Sequence, residues 1–260
     1  YTATDASSNT AIASFTVTVT DTENPTIAGV PANITETAAA GTCTAIATWI
    51  APTASDNCAG VSLIASHNPG DSFPVGITTV TYTATDASSN TAIASFTVTV
   101  TDTENPTIAG VPANITESAA AGTCAAIATW VAPTASDNCA GVSLISSHNP
   151  GDSFPVGITT VTYTATDASS NTAIASFTVT VTDTENPTIA GAPANITETA
   201  AAGTCAAIAT WIAPTASDNC AGVSLISSHN PGDSFPVGIT TVTYTATDAS
   251  SNTAIASFTV

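Results

Sequence analysis

Every 81 residues the chain starts over. Tyr1 returns as Tyr82, Tyr163 and Tyr244, each opening the phrase YTATDASSNTAIASFTV. Whatever fold forms must close within one such period and must tolerate an identical neighbour. The first two complete copies differ at only four places: Thr37 to Ser118, Thr44 to Ala125, Ile50 to Val131 and Ala65 to Ser146. An enzyme concentrates its chemistry in one site. Near-identical copies in tandem point instead to reach or number, the logic of repeat arrays.

The natural cut is Asp21-Thr22-Glu23-Asn24-Pro25, repeated at 102–106 and 183–187. It is short, polar and closed by Pro, as linkers are. Residues 1–20 then read as the C-terminal strands of a preceding repeat. Three repeats follow, at 24–101, 105–182 and 186–260, the last with its final strand truncated. The sequence reads as a window on a longer array. Repeats of about 80 residues are small for an unaided core, so a covalent staple is useful.

The pattern within a repeat is all-β. Residues 91–101 alternate, with Ala92, Ala94, Phe96, Val98 and Val100 on one face and Thr, Ser and Ile93 on the other. Residues 78–85 do the same through Val80, Tyr82 and Ala84, and Asp86–Asn90 makes the turn of a hairpin. Shorter strands are expected at 25–35, with Pro31 at an edge or bulge, and at 43–50, 61–66 and 72–75. Trp49 is assigned to the core. About seven strands imply two packed sheets.

Charge removes several function classes. The chain has no Lys or Arg against 19 Asp plus Glu, a formal charge of -19, yet 43% of its residues are apolar. It is therefore not of the disordered type, which pairs high charge with low hydrophobicity. Binding to nucleic acid is excluded for want of cations to meet phosphate. No apolar run is long enough to span a bilayer, so no membrane insertion is expected in this segment.

The six cysteines recur at a spacing of 15: Cys43 with Cys58, Cys124 with Cys139, and Cys205 with Cys220. Even counts at fixed spacing predict disulfides and an oxidising, extracellular setting. The simplest pairing is within each repeat.

An ordered set of phrases carries a resemblance: PANIT at 31–35, AGTC at 40–43, TW at 48–49, APTASDNC at 51–58, FPVG at 73–76, VTYTATD at 80–86 and SFTVTVTD at 95–102. Together they resemble the hyalin repeat, or HYR domain. That resemblance implies tandem immunoglobulin-like or fibronectin type III-like β-sandwiches of seven strands, extracellular, set end to end as an elongated rod. Members commonly hold a second cysteine pair. Here those places are Val30 and Ala94, Val111 and Ala175, and Ala192 and Ala256, so both partners are absent in every copy.

In a sandwich of that topology one pole should gather the linker, the 56–57 loop and the hairpin turn. The converging acids are Asp21, Glu23, Asp56 and Asp86; then Asp102, Glu104, Asp137 and Asp167; then Asp183, Glu185, Asp218 and Asp248. Without cationic side chains nearby, oxygen clusters of this kind suit Ca2+ at the junctions between repeats. Self-capping of turns by Asp56 and Asp86 is the competing reading. Asn33, Asn114 and Asn195 stand in sequons for N-glycosylation. His67 falls in a Gly/Pro turn and is read as solvated, and no catalytic constellation stands out.

Two functions follow. The first is a structural stalk or fibre shaft of a large secreted or cell-surface protein, projecting an adhesive tip and capable of filament formation. The alternative makes the repeats themselves adhesion modules for glycan or protein partners, with Phe73, Tyr82 and Trp49 as the available aromatics. Partners on either reading are neighbouring repeats of the same chain, further copies associating laterally or end to end, and a glycan or surface protein.

Overall fold

The computed structural model describes residues 1–260. By internal contacts the chain forms two compact units. One holds Tyr1–Glu104 with two loops of the next repeat, Asn138–Gly141 and Ala168–Asn171. The other holds Asn105–Asp137, Val142–Asp167 and Thr172–Val260. The borrowed loops mean that units of packing and units of sequence do not coincide.

Residues 1–20 contribute the small hairpin β1 (Thr2–Thr4) and β2 (Thr10–Ile12). The first repeat then runs β3 (Thr26–Ala28), β4 (Ile34–Thr37), β5 (Thr44–Ile46), β6 (Thr53–Ser55), β7 (Ser62–Ala65), β8 (Ser72–Pro74), β9 (Gly76–Thr85) and β10 (Thr91–Thr101). One four-stranded sheet, in the order β4-β10-β9-β7, forms the back of the repeat. Two short ladders, β3 with β6 and β5 with β8, lie apart from it. This is more open than the closed seven-stranded sandwich expected, because no ladder joins the short pairs into a second continuous sheet.

Strand β10 is the spine. It pairs antiparallel with β9 over ten positions and parallel with β4 at Val98–Ile34 through Thr101–Thr37. Alternation puts Val80, Tyr82, Ala84, Phe96, Val98 and Val100 inside, where Phe73, Ala45 and Ala47 complete the core. Each fully buried Val or Phe contributes about 1.5–3 kcal/mol. Trp49 is half-buried at the rim. Its Nε1–H donates to Tyr82 Oη at 2.7 Å, and its ring meets Phe96 edge-on at 5.2 Å.

Two expectations about strands need correction. The single strand read over 25–35 is two strands in different sheets. Gly29, at φ +75°, and Pro31 lie in the crossing between them. A left-handed residue followed by one without an N–H cannot continue a ladder. The segment 51–58, where the sequence pattern predicts no strand, contains β6, which pairs with β3 at Ala54 and Ile27.

The second repeat follows the same plan, with sheet order Ile115–Ser118, Thr172–Thr182, Gly157–Thr166, Ser143–Ser146. In the third, the spine strand is Thr253–Thr259 and the sheet has three strands. Asn195 and Ile196 still meet that strand, through Thr259 N to Asn195 Oδ1 at 2.9 Å and Ile196 N to Thr259 O at 2.9 Å.

Candidate functional site at the repeat junction

Within a repeat the chain visits its two poles in turn. β10 ends at the C-terminal pole, where Ala38 N donates to Thr101 O and the turn 39–42 leads to Cys43. From there β5, its extension and β6 carry the chain to the N-terminal pole, where Cys58 lies beside the linker residue Asp21. Fourteen residues lie between the two cysteines, and an extended chain of that length spans roughly 50 Å. A disulfide requires Cα atoms within about 7 Å. The pairing of Cys43 with Cys58, and its copies, is therefore replaced by bonds between repeats.

Cys43 bonds Cys139, and Cys124 bonds Cys220, each across 96 residues with Cα atoms 5.0 Å apart. Each bond lies inside one compact unit: Cys139 belongs to the loop that packs with the first repeat, and Cys124 and Cys220 share the second unit. Cys58 and Cys205 are free and exposed. Against a fully unfolded chain, a loop of that size corresponds to about 4.7 kcal/mol in the chain-entropy account. Sequence spacing held the clue only in part. A constant offset fits a bond to the next repeat as well as one within a repeat.

Hydrogen bonds accompany each staple. In the second unit, Asn219 Nδ2 donates to Thr123 O at 2.7 Å and to Asp183 Oδ1 at 3.3 Å. Gly122 N donates to Glu185 Oε2 at 2.8 Å. Asn252, from the hairpin turn, reaches the linker at Asp183 O, 3.2 Å away. The first unit repeats the set. Asn138 Nδ2 meets Thr42 O at 2.8 Å, Gly41 N meets Glu104 Oε2 at 2.8 Å, and Asn171 Nδ2 meets Asp102 O at 3.2 Å. The linker glutamates thus cap the turn before each cysteine. Sequence reasoning had placed Glu104 and Glu185 among metal ligands, and gave no sign of Gly41 and Gly122 as their donors.

The acidic residues divide into two kinds. Asp86 is buried and holds its own hairpin turn, accepting from Ser88 N at 2.9 Å, Asn90 N at 2.8 Å and Asn90 Nδ2 at 2.7 Å. Asp248 does the same for Asn252, and Asp167 is equally buried. The linker and loop acids cluster. Carboxylate oxygens of Asp183 and Asp218 lie within 4.8 Å of each other and of Cys220 Sγ, and Asp21, Asp56 and Cys58 form the same group. Asp218 and Asp56 each use one oxygen to cap the cysteine two residues on, at 3.0 Å. The other oxygens stay without a hydrogen-bond partner: Asp183 Oδ2, Asp218 Oδ1 and Asn219 Oδ1 are buried and unsatisfied. The same holds for Asp21 Oδ2 and Asp56 Oδ1. Asp102 lies buried at the edge of the first unit, and Asp137 is half-buried in the second. Glu23 is exposed beside Asp21, to which its N–H donates at 3.1 Å.

Buried, unpaired carboxylate oxygens are costly and are normally satisfied by a proton donor or a cation. In a chain without Lys or Arg, such an oxygen group is suited to hold a cation. The Asp21 carboxyl is held below its ordinary value, first by the Glu23 N–H and then by Cys58. The Cys58 thiol is pushed up in turn, chiefly by its hydrogen bond to Asp21.

The remaining candidates serve the fold. Asn33 Oδ1 accepts from Thr97 N at 2.9 Å, and Asn114 and Asn195 repeat this on Thr178 and Thr259. His67 is half-buried rather than solvated. Its ring lies 5.2 Å from that of Phe73, and Nδ1 pairs with Ser66 Oγ at 3.1 Å. No helix is long and apolar enough to cross a membrane.

Fold and junction together define a tandem all-β repeat protein whose repeats are tied by disulfides, a device of extracellular chains. A family model, the HYR domain, matches residues 20–100, 101–181 and 182–260. The chain belongs to the HYR domain family and is of the extracellular, cell-surface kind. It is 41% identical over 272 residues to hyalin of Lytechinus variegatus, covering all of this chain and 51% of that protein. Hyalin of Strongylocentrotus purpuratus is also 41% identical, with 22% of its length covered. The chain thus spans about half of one of these relatives and about a fifth of the other. A 133-residue stretch is 41% identical to the sushi, von Willebrand factor type A, EGF and pentraxin domain-containing protein 1 of Rattus norvegicus, covering 48% of this chain and 4% of that protein. Among solved structures, mouse cadherin-23 EC22-24 aligns over 91% of this chain and 98% of that one, at 16% identity and a TM-score of 0.31.

Proposed function

We propose that the chain is a mechanically reinforced spacer of an extracellular adhesive protein, stiffened at its junctions by calcium. The observation that carries this is the Cys124–Cys220 bond, which ties the C-terminal pole of one repeat to the N-terminal pole of the next. A three-residue linker alone would let neighbouring repeats swing. A bridge beside it, with the Asn219 and Glu185 contacts, supports a fixed hinge.

The calcium reading rests on the unsatisfied oxygens of Asp183, Asp218 and Asn219. Hard oxygen donors, with Cys220 Sγ already committed to a disulfide, favour Ca2+ over thiophilic metals. These three residues would hold the ion, which would supply the positive charge the sequence lacks. Calorimetric titration of the 260-residue chain with calcium should show saturable uptake at or below millimolar concentration. The double substitution Asp183→Asn with Asp218→Asn should reduce the number of ions bound. No uptake by the parent chain sinks the cation reading and leaves the staple untouched.

A second reading, adhesion by the repeats themselves, is favoured by one exposed feature. Ile64 and Ile93 flank Thr83 on the outward face of the four-stranded sheet, and both are exposed. Ile145, Thr164 and Ile174 repeat the patch, as do Ile226, Thr245 and Ile255. The aromatic candidates serve adhesion less well, since Phe73 and Tyr82 are buried. An array of glycans and surface proteins probed with the parent chain, and with Ile64, Ile145 and Ile226 changed to Ser, tests this. Binding that the serine variant loses supports adhesion; a blank array with the parent opposes it. The exposed Asn33, Asn114 and Asn195 are proposed as glycan acceptors, readable as added mass on the protein from its native source.

A further inference from the structure

The two bridges overlap along the chain. Cys43–Cys139 and Cys124–Cys220 share the stretch 124–139, which lies inside both loops. Three covalent routes therefore join one bridge to the other. Residues 43–124 and residues 139–220 are the long routes, each an offset of 81. Residues 124–139 are the short route, an offset of 15. Tension along a branched chain runs through its shortest taut route. We propose that the stretch 124–139 is a load-bearing tether, and that it shields the two long routes from a pull along the chain. A repeat can then unfold without lengthening the array by a repeat's worth of residues. Such a tether serves the reinforced spacer proposed above and rests on that reading.

The short route is already drawn out in the folded chain. It contains two strands, Ala125–Ile127 and Thr134–Ser136. The first pairs with Ser153–Pro155 and the second with Thr107–Ala109, so the stretch passes from one short ladder to the other. Residues 128–133 between them form no turn or helix that would store slack. Trp130 fixes the middle of the stretch, its Nε1–H donating to Tyr163 Oη at 2.8 Å. The matching stretch of the first repeat, 43–58, runs from one pole to the other. A taut chain of that length reaches roughly 50 Å. The eleven-residue strand β10, which runs from hairpin turn to linker, already spans roughly 37 Å. Melting a repeat around its tether therefore releases little length.

The overlap leaves a signature in length. Pulled at its ends with both bonds closed, the chain bears load through residues 1–43, 124–139 and 220–260, which are 100 residues. Residues 44–123 and 140–219, 80 in each, hang outside the load path. Fully extended, the loaded part reaches roughly 350 Å, against roughly 910 Å for the whole chain without bonds. Opening either bond first frees 65 residues, and opening the other then frees 95. Those steps correspond to roughly 230 Å and roughly 330 Å, in that order whichever bond opens first. Bonds confined to single repeats would give equal steps of roughly 50 Å instead.

The test is single-molecule stretching of the 260-residue chain by its two ends, with free thiols alkylated beforehand. A dithiol reductant is then added under constant force. Its thiolate attacks one bridging sulfur, the other leaves as a thiolate, and the reductant closes its own disulfide as the bridge is reduced. The chain should stop at roughly 350 Å before reductant and then lengthen in two unequal steps, the second about 1.5 times the first. Cys139→Ser should raise the initial limit to roughly 580 Å and leave only the larger step. A limit beyond roughly 700 Å before reductant, equal steps, or the larger step first would each overturn the tether. The expected lengths with repeats that yield at no measurable force keep the tether and count against a stiff spacer. Strong resistance with the longer limit keeps the spacer and removes the tether.

Discussion

Residues 1–21 and 82–102 have the same sequence and different structures. In the second, Thr91–Thr101 is one strand of eleven residues; in the first, only Thr10–Ile12 is strand. Phe96 is 4% exposed and Phe15 70%, Val100 2% and Val19 88%. The turn is the same in both. Asp5 binds Ser7 N, Asn9 N and Asn9 Nδ2 as Asp86 does its own partners, and Ser8 and Ser89 share a left-handed backbone at φ 66° and 73°. The turn is therefore local chemistry, while strand length is set by what the strand packs against.

That contrast can be pressed by changing one copy at a time. Unfolding in urea can be followed by Trp49 fluorescence in a chain whose other two tryptophans are Phe. Phe96→Ala should lower stability most, by about 3–5 kcal/mol, since it empties the core under Trp49. Phe15→Ala should move the midpoint by no more than about 0.5 kcal/mol, and an equal loss from both would refute the packing account. Asp86→Ala removes three hydrogen bonds to a carboxylate and should cost about 2 kcal/mol or more; the same change at Asp5 should leave the Trp49 transition unmoved. Ser89→Gly relieves a left-handed side chain at the price of unfolded-state freedom, so a net gain of a few tenths of a kcal/mol is expected.

The mildest test is titration of Asp5 by NMR. Its carboxyl is lowered by the Asn9 side chain first and then by the Asn9 N–H, against an ordinary value of 3.8. A depressed folded value means the turn gains from ionisation above the unfolded pKa and loses it as pH falls through the folded one. The turn's signals should therefore persist at pH 4 and fade below the ordinary carboxylate range. Loss already at pH 5 would contradict the assigned bonds.

Most of the sheet was legible because Thr and Val alternate over long runs, which fixes both face and register of β9 and β10. The convergence of Asp21 and Asp56 was also readable once the pole-to-pole course was assumed. Strand β6 was hidden because Thr53–Ser55 is too short to show a period and is flanked by turn residues. Cysteine pairing was hidden for a different reason. Strict repetition makes an offset of 15 and an offset of 96 equivalent in the sequence, and only the opposite positions of Cys43 and Cys58 separate them. The roles of Glu104 and Glu185 were invisible too, because a carboxylate that caps a distant N–H looks like any other acid.

The pattern of bridging also changes what a broken backbone means. Cys124 and Cys220 lie on either side of the linker at 183–187. A protease that severed that linker would leave both fragments tethered through sulfur, and the damage would stay silent until a reductant arrived.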